Sequence, residues 1–163
     1  MKTLVSLVLV AVLVGASVPA GEVEQGIALY KDGKFAEAEP MLREAEGVEA
    51  QAYLAATLQE LDRPAEAEPL AKAVLEGQPT HPIAAPALGE ALVKQKKLDE
   101  AITRMTAVLA AKNDLAYVYY WRGQAYQGQK EIARMVDDYQ AFLKLAPDAP
   151  EAPAVKALLA GLR

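Results

Sequence analysis

Cysteine is absent from the 163 residues. That excludes disulfides, thiolate metal sites, a cysteine nucleophile and lipid attachment at a cysteine. Histidine occurs once, as His81 between Pro79 and Pro82. A metal site or catalytic triad built on it needs partners at definite spacing, and none stands there. No glycine-rich phosphate loop follows a strand-like run. Acid exceeds base, with a net charge of −5, so there is no basic stripe for nucleic acid. Beyond the first twenty positions no apolar run is long enough to span a bilayer. Aromatic residues make up only 6% of the chain, yet half of them crowd into Tyr117–Tyr126. These absences point away from catalysis, and neither a cofactor nor a metal is expected.

What is present begins with a three-part N-terminus. Met1-Lys2-Thr3 carries one positive charge, and Leu4–Val14 is apolar except for Ser6. Small residues follow, Gly15-Ala16-Ser17 and Val18-Pro19-Ala20. This is the pattern of a secretory signal peptide, residues 1–20, with cleavage after Ala20 or, as second choice, after Ala16. The competing reading is a retained membrane anchor. Counted to Val18 the run is about 15 residues, short of the ~20 a spanning helix requires. An exported chain starting at Gly21, periplasmic or extracellular, is therefore expected. At 53% apolar and 24% charged, the chain as a whole has the composition of a folded protein.

The rest of the chain repeats itself every 34 residues. When residues 48–81, 82–115 and 116–149 are stacked, Leu54 falls on Leu88, and Ala55 on Gly89 and Gly123. Leu58 meets Leu92 and Tyr126, Ala67 meets Ala101 and Met135, and Val74 meets Val108 and Phe142. A fixed period of this size marks stacked units, each with an apolar face that only its neighbour covers. Each block divides into two helices. Pro82 suits a first helical turn, and Leu88, Ala91, Leu92 and Gln95 recur at helical spacing. Leu98-Asp99-Glu100-Ala101 opens the second helix, followed by the stripe Ile102, Met105, Val108 and Leu109. An earlier block, residues 21–47, is a truncated copy. Residues 150–163 leave the pattern, and the stripe Val155, Leu158, Leu159 and Leu162 predicts a capping helix.

On these residues the chain resembles the tetratricopeptide repeat (TPR) family. Tyr119, Gly123, Tyr126, Tyr139 and Pro147 stand at family positions in the last block, as do Leu88-Gly89, Ala91 and Ala101 in the one before. Leu54-Ala55, Ala67 and Pro79 do so in the block starting at Val48. The resemblance implies an all-α, TPR-like helix–turn–helix solenoid: about four helix pairs, the first truncated, plus a C-terminal cap. Small residues at Gly26, Ala55, Gly89 and Gly123 on first helices, and Ala38, Ala67 and Ala101 on second helices, are expected where helices cross closely. Met135 replaces an alanine and Arg122 a leucine, so looser packing is expected in the last pair. Pro40 and Pro69 lie inside second helices, which are expected to start late or kink there.

The resemblance also implies a non-catalytic module for protein–protein interaction, a scaffold or adaptor whose concave groove takes a peptide or helix of another protein. Helical spacing puts Tyr119, Gly123 and Tyr126 on the packing face, and Tyr117, Tyr120, Gln124 and Gln127 on the face that lines the groove in the family. Tyr30, Gln59, Glu90 and Val93 correspond in the other blocks, together with Ala52, Ala56 and Pro86. Tyrosine with glutamine offers stacking area and hydrogen bonds to an extended peptide. The competing reading is a solvated face with incidental tyrosines. TPR grooves that clamp a C-terminal carboxylate use Lys, Asn and Arg where Val23, Ile27, Tyr53, Ile83 and Ala87 stand here. The alternative function is a self-assembling structural unit, a homo-oligomer stacked through the solenoid's ends.

Overall fold

The computed structural model describes residues 20–162; the expected signal segment lies outside them, except for Ala20. Nine α-helices and no strands occur among the described residues. They are α1 (Ala20–Lys31), α2 (Phe35–Glu44), α3 (Val48–Glu60), α4 (Pro64–Gly77), α5 (Ala84–Lys94), α6 (Leu98–Ala111), α7 (Ala116–Gln129), α8 (Ile132–Leu145) and α9 (Ala152–Ala160). Each odd helix up to α7 pairs with the even one after it, and α9 packs on α8 alone. The first helices touch in sequence, α1 to α3, α3 to α5 and α5 to α7. The second helices stand further apart and meet through side chains, as where Lys72 of α4 pairs with Glu100 of α6 at 2.8 Å, and no described helix packs on one two pairs away. The result is an open solenoid, with first helices on its inner side and second helices outside. The truncation of the first pair shows in α2, 10 residues against 14 in α4, α6 and α8.

The turn inside each pair is built the same way. Gly33, Asp62, Lys96 and Lys130 adopt left-handed backbone conformations with φ of 73°, 55°, 62° and 63°. The next residue's N–H reaches back to a carbonyl of the first helix: Lys34 to Leu29, Arg63 to Leu58, Lys97 to Leu92 and Glu131 to Tyr126. This closure satisfies carbonyls that a helix end leaves orphaned. Only the first turn uses glycine, so the other three accept a steric cost of about 1 kcal/mol each.

Small residues carry the helix crossings. Ala38, Ala55, Ala67 and Ala101 are fully buried. A Cβ added at Gly89 would fall 2.9 Å from both Met105 Sδ and Trp121 Cβ. One added at Gly123 would fall 2.9 Å from Tyr139 Cε1. The last pair is therefore as close-packed as the others, contrary to expectation. Met135 is only 1% exposed. Arg122 reaches over to Asp138 on α8 in a two-bonded ion pair at 2.7 and 2.8 Å. The arginine crosses the interface with its charge matched, where an alkyl side chain would only have filled it.

Of the two outcomes expected at the prolines, a late start does not occur. α2 runs from Phe35 through Pro40, and α4 from Pro64 through Pro69. The duplicated Glu-Ala-Glu-Pro around each has a role in joining pairs. Glu39 accepts bonds from Arg63 Nη1 at 2.7 and 2.8 Å, and Glu68 accepts one from Lys97 Nζ at 2.6 Å. Arg63 and Lys97 each directly follow the left-handed residue of their turn. α2 and α4 are thus each clasped to the turn of the next pair. Burial acts to raise the Glu68 pKa, but bonds from Lys72, Lys97 and Gln95 outweigh it and hold it at about 2.

Two glycines separate packing from helix propensity. Alanine at either gains about 1 kcal/mol of propensity, while overpacking costs about 1–3 kcal/mol. Gly123→Ala presses on the buried Tyr139 ring and is expected to lose about 1 kcal/mol net. At Gly128 the added Cβ meets only the tip of the half-buried Leu98 side chain, at 2.7 Å. Gly128→Ala is expected to gain up to about 1 kcal/mol, and urea unfolding of the two variants measures the difference.

Candidate functional site

The inner helices and two of the turns enclose a chamber of about 480 Å³. Its position follows from the period. Ile83 precedes α5, Tyr117 lies in the first turn of α7, and Glu151 precedes α9, each 34 residues from the last. All three line the chamber. Pro86 and Tyr120 share a second register, Ala87 and Trp121 a third, and Ala56 and Glu90 a fourth, and these too line it. Tyr30 from α1 and Glu60 at the end of α3 close the far side. Contributions therefore come from all four pairs and the turn into the cap.

The aromatic wall is held by ring-to-ring contacts. Tyr117 meets Tyr120 edge-on at 6.1 Å, and Phe142 at 5.6 Å. Tyr120 meets Trp121 at 5.0 Å and Phe142 at 5.1 Å. Opposite, Tyr30 stands edge-on to Tyr53 at 5.4 Å and to Phe35 at 5.6 Å. Edge-to-face pairs of this kind fix ring orientation beyond simple burial. The hydroxyls are oriented as well. Tyr117 Oη donates to Glu151 Oε2 at 2.8 Å, and Gln124 Nε2 donates to Tyr120 Oη at 3.1 Å.

The chamber's field is negative. Glu60, Glu90 and Glu151 line it, and no lysine or arginine does. Burial pushes the Tyr30 phenol up to about 12, helped by Glu60 and Glu90. Burial, the bond to Glu151 and its charge raise Tyr117 likewise. Burial also pushes the Glu90 carboxyl up, Lys94 works against this, and Glu60 and Glu151 add to the rise. The ε-ammonium of Lys94 is shared among Glu90 at 2.9 Å, Asp62 at 3.4 Å and the Gln59 carbonyl at 3.1 Å. No described group of three or more acidic or histidine side chains has the arrangement of a metal site.

Of the eight groove positions read from sequence, the chamber brings together Tyr30, Glu90, Tyr117 and Tyr120. Gln59 is 2% exposed and donates from Nε2 to the Ala87 carbonyl of α5 at 2.8 Å, joining two pairs. Val93 packs against the main apolar core. Gln124 supports Tyr120 from behind, and the exposed Gln127 accepts the Tyr139 hydroxyl at 2.7 Å. Gln59, Val93 and Gln127 sit near the ends of their helices, a register that faces packing contacts and solvent. Tyr30 holds the corresponding place in the first pair and does line the chamber.

Sequence reasoning missed Glu60, Trp121 and Glu151. The signal for Glu151 was its distance of one period from Tyr117, carried past the last recognised copy. His81 was read as a turn residue and does more. It is 4% exposed, and its Nδ1 accepts the N–H groups of Ile83 and Ala84 at 3.3 Å, capping the start of α5. That puts the ring proton on Nε2, which meets Glu49 Oε1 at 3.1 Å.

The architecture is therefore that of a helix-pair solenoid with a concave, tyrosine-lined and acidic inner face. The family model for the tetratricopeptide repeat matches residues 58–125. No curated protein matches the sequence. Among solved structures, the TPR protein TTC0263 of Thermus thermophilus is 20% identical with a TM-score of 0.73, over 87% of this chain and 79% of that one. MamA from Desulfovibrio magneticus RS-1 is 23% identical with a TM-score of 0.63, over 84% and 82%. YrrB, a TPR protein with an unusual peptide-binding site, is 20% identical with a TM-score of 0.67, over 83% and 73%. The fold is TPR-like throughout. No described helix is long and apolar enough to cross a membrane.

Glu90 gives a test of the site's energetics. A carboxyl whose pKa is raised on folding contributes stability while protonated, and this is lost as pH rises through the folded value. Once ionised, Glu90 works against the fold. Glu90→Gln keeps the shape and leaves Lys94 bonded to Asp62 and the Gln59 carbonyl. The variant is expected to show a higher urea midpoint than the parent at neutral pH, with the gap closing on acidification.

Proposed function

We propose that the protein is an exported, non-catalytic interaction module that holds a peptide or helical segment of another envelope protein in its concave chamber. The observation that carries this is the chamber itself, a concavity of about 480 Å³ lined by rigidly packed tyrosines on the inner side of an open solenoid. Immobilised aromatic rings offer contact area without a large loss of side-chain freedom on binding. A TPR-like relative with a peptide-binding site supports the reading. Export rests on the N-terminal sequence. A carboxylate clamp does not fit, because Ile83 and Ala87 line the chamber beside three glutamates.

Crosslinking in living cells, followed by capture, tests the groove. Tyr117→Ala with Tyr120→Ala is expected to abolish capture of the partner, but it also strips packing from Phe142. Pro86→Trp supplies a second arm. Pro86 lies in the first turn of α5 and lines the chamber, so tryptophan there fills the space without emptying the core. Undiminished capture by a folded Pro86→Trp chain would remove the concave face as the binding surface.

A second reading, self-assembly, is favoured by one feature of the C-terminal end. Val136 and Leu143 of α8 and Leu159 of α9 line an open hollow of about 430 Å³ with Leu162, which is 50% exposed. If copies stack there, light scattering shows a mass that grows with concentration, and Leu159→Asp with Leu162→Asp returns it to that of one chain. A mass independent of concentration leaves only the groove reading.

A further inference from the structure

We infer that the chamber recognises a lysine or arginine side chain, presented by an extended segment of the partner protein. The inference rests on the concave face being the partner surface, and adds the chemistry of what enters it. Charge complementarity is the first argument. Glu60, Glu90 and Glu151 converge on the chamber from α3, α5 and the turn before α9, and no cationic side chain lines it. The one ammonium nearby, Lys94, is spread over Glu90, Asp62 and the Gln59 carbonyl. Glu151 spends Oε2 on the Tyr117 hydroxyl. Among the described residues no hydrogen bond occupies its Oε1 or the carboxylate of Glu60.

The aromatic rings are the second argument. Tyr30, Tyr117, Tyr120 and Trp121 surround the same space as the carboxylates. Ring faces attract ammonium and guanidinium groups, more strongly when water is displaced. They also accept the alkyl stem that carries such a head group. An anionic segment meets three like charges here, and a neutral one desolvates the carboxylates without adding a countercharge. The third argument is energetic. Burial raises the proton affinity of Glu90, so its ionised form is held at a cost in the free chain. An arriving cation offsets that cost, which makes the carboxylate more favourable in the complex than outside it. The volume, about 480 Å³, exceeds one side chain and leaves room for the flanking backbone.

The chain contains a single tryptophan, and it lines the chamber, so its fluorescence reports occupancy directly. Short blocked peptides that differ only in a central Lys, Arg, Gln or Glu are titrated into protein recovered from cells expressing the full chain. Lysine or arginine peptides are expected to bind at least about tenfold tighter than the glutamine peptide, with an advantage that shrinks as salt rises. The glutamate peptide is expected to bind weakest. Glu90→Gln with Glu151→Gln is expected to erase the advantage, and Glu60→Gln, at an exposed position, to reduce it. Urea midpoints no lower than the parent's separate this loss from unfolding. Equal binding of the glutamine peptide overturns the inference; if Pro86→Trp also abolishes that binding, the groove reading survives alone. Failure of every cationic peptide to bind overturns it too, and partner capture by Pro86→Trp then decides separately whether the groove is used.

Discussion

The structure depends on how near two helices can come. Gly89 lies under Met105 and Trp121, and Gly123 under the ring of Tyr139, at distances that leave no room for a methyl group. Fully buried alanines on the second helices complete the crossings. Backbones this close let the large residues above and below interlock at interior density. Because every pair uses the same contact, its remaining apolar face always points toward the next pair. An array follows, and with it an inner surface made only of first helices. The concave chamber is thus a consequence of a packing rule that has nothing to do with binding.

Two sides of the solenoid use charge in opposite ways. On the outer side, Glu39 and Glu68 are each bonded by a cation from the following turn and by one from their own helix. Bonds outweigh burial there, and the Glu68 carboxyl is held at about 2. On the inner side, burial prevails over the single cation within reach, and Glu90 is pushed the other way. The first arrangement fastens pair to pair. The second keeps an incompletely matched charge on a concave surface, which is unfavourable for folding.

Much of the architecture was legible because the period is long and uninterrupted. Small residues at Ala55, Gly89 and Gly123 marked the crossings, and the structure places them there. The features that escaped depend on geometry that identity does not encode. Asp62, Lys96 and Lys130 take left-handed turns with no glycine to announce them. Pro40 and Pro69 do not delay the start of their helices, which run through them. Arg122 was read as a packing fault, although its partner Asp138 stands 16 residues on. In the groove, Ile83, Pro86 and Glu90 line the chamber, while Gln59, Val93 and Gln127, near the ends of their helices, do not. Glu151 lay beyond the last copy, where the family pattern stops but the helical register continues.

The chamber's span makes its shape a property of the whole chain. One wall comes from Tyr30 in the first pair and the other from Tyr117 and Glu151 at the far end. Their separation is set by the rotation accumulated from pair to pair, since among the described helices no contact bridges distant pairs directly. The clasps Glu39–Arg63 and Glu68–Lys97 sit at the junctions where that rotation arises. The third pair is joined to the fourth by Gln129 Nε2, which donates to Asp99 Oδ1 at 2.5 Å, and there Trp121 lies on Gly89, across the junction between α5 and α7. A residue of the chamber wall is therefore also the packing element of that junction. A shift of Trp121 and a turn of the last pair against the third are, mechanically, one movement.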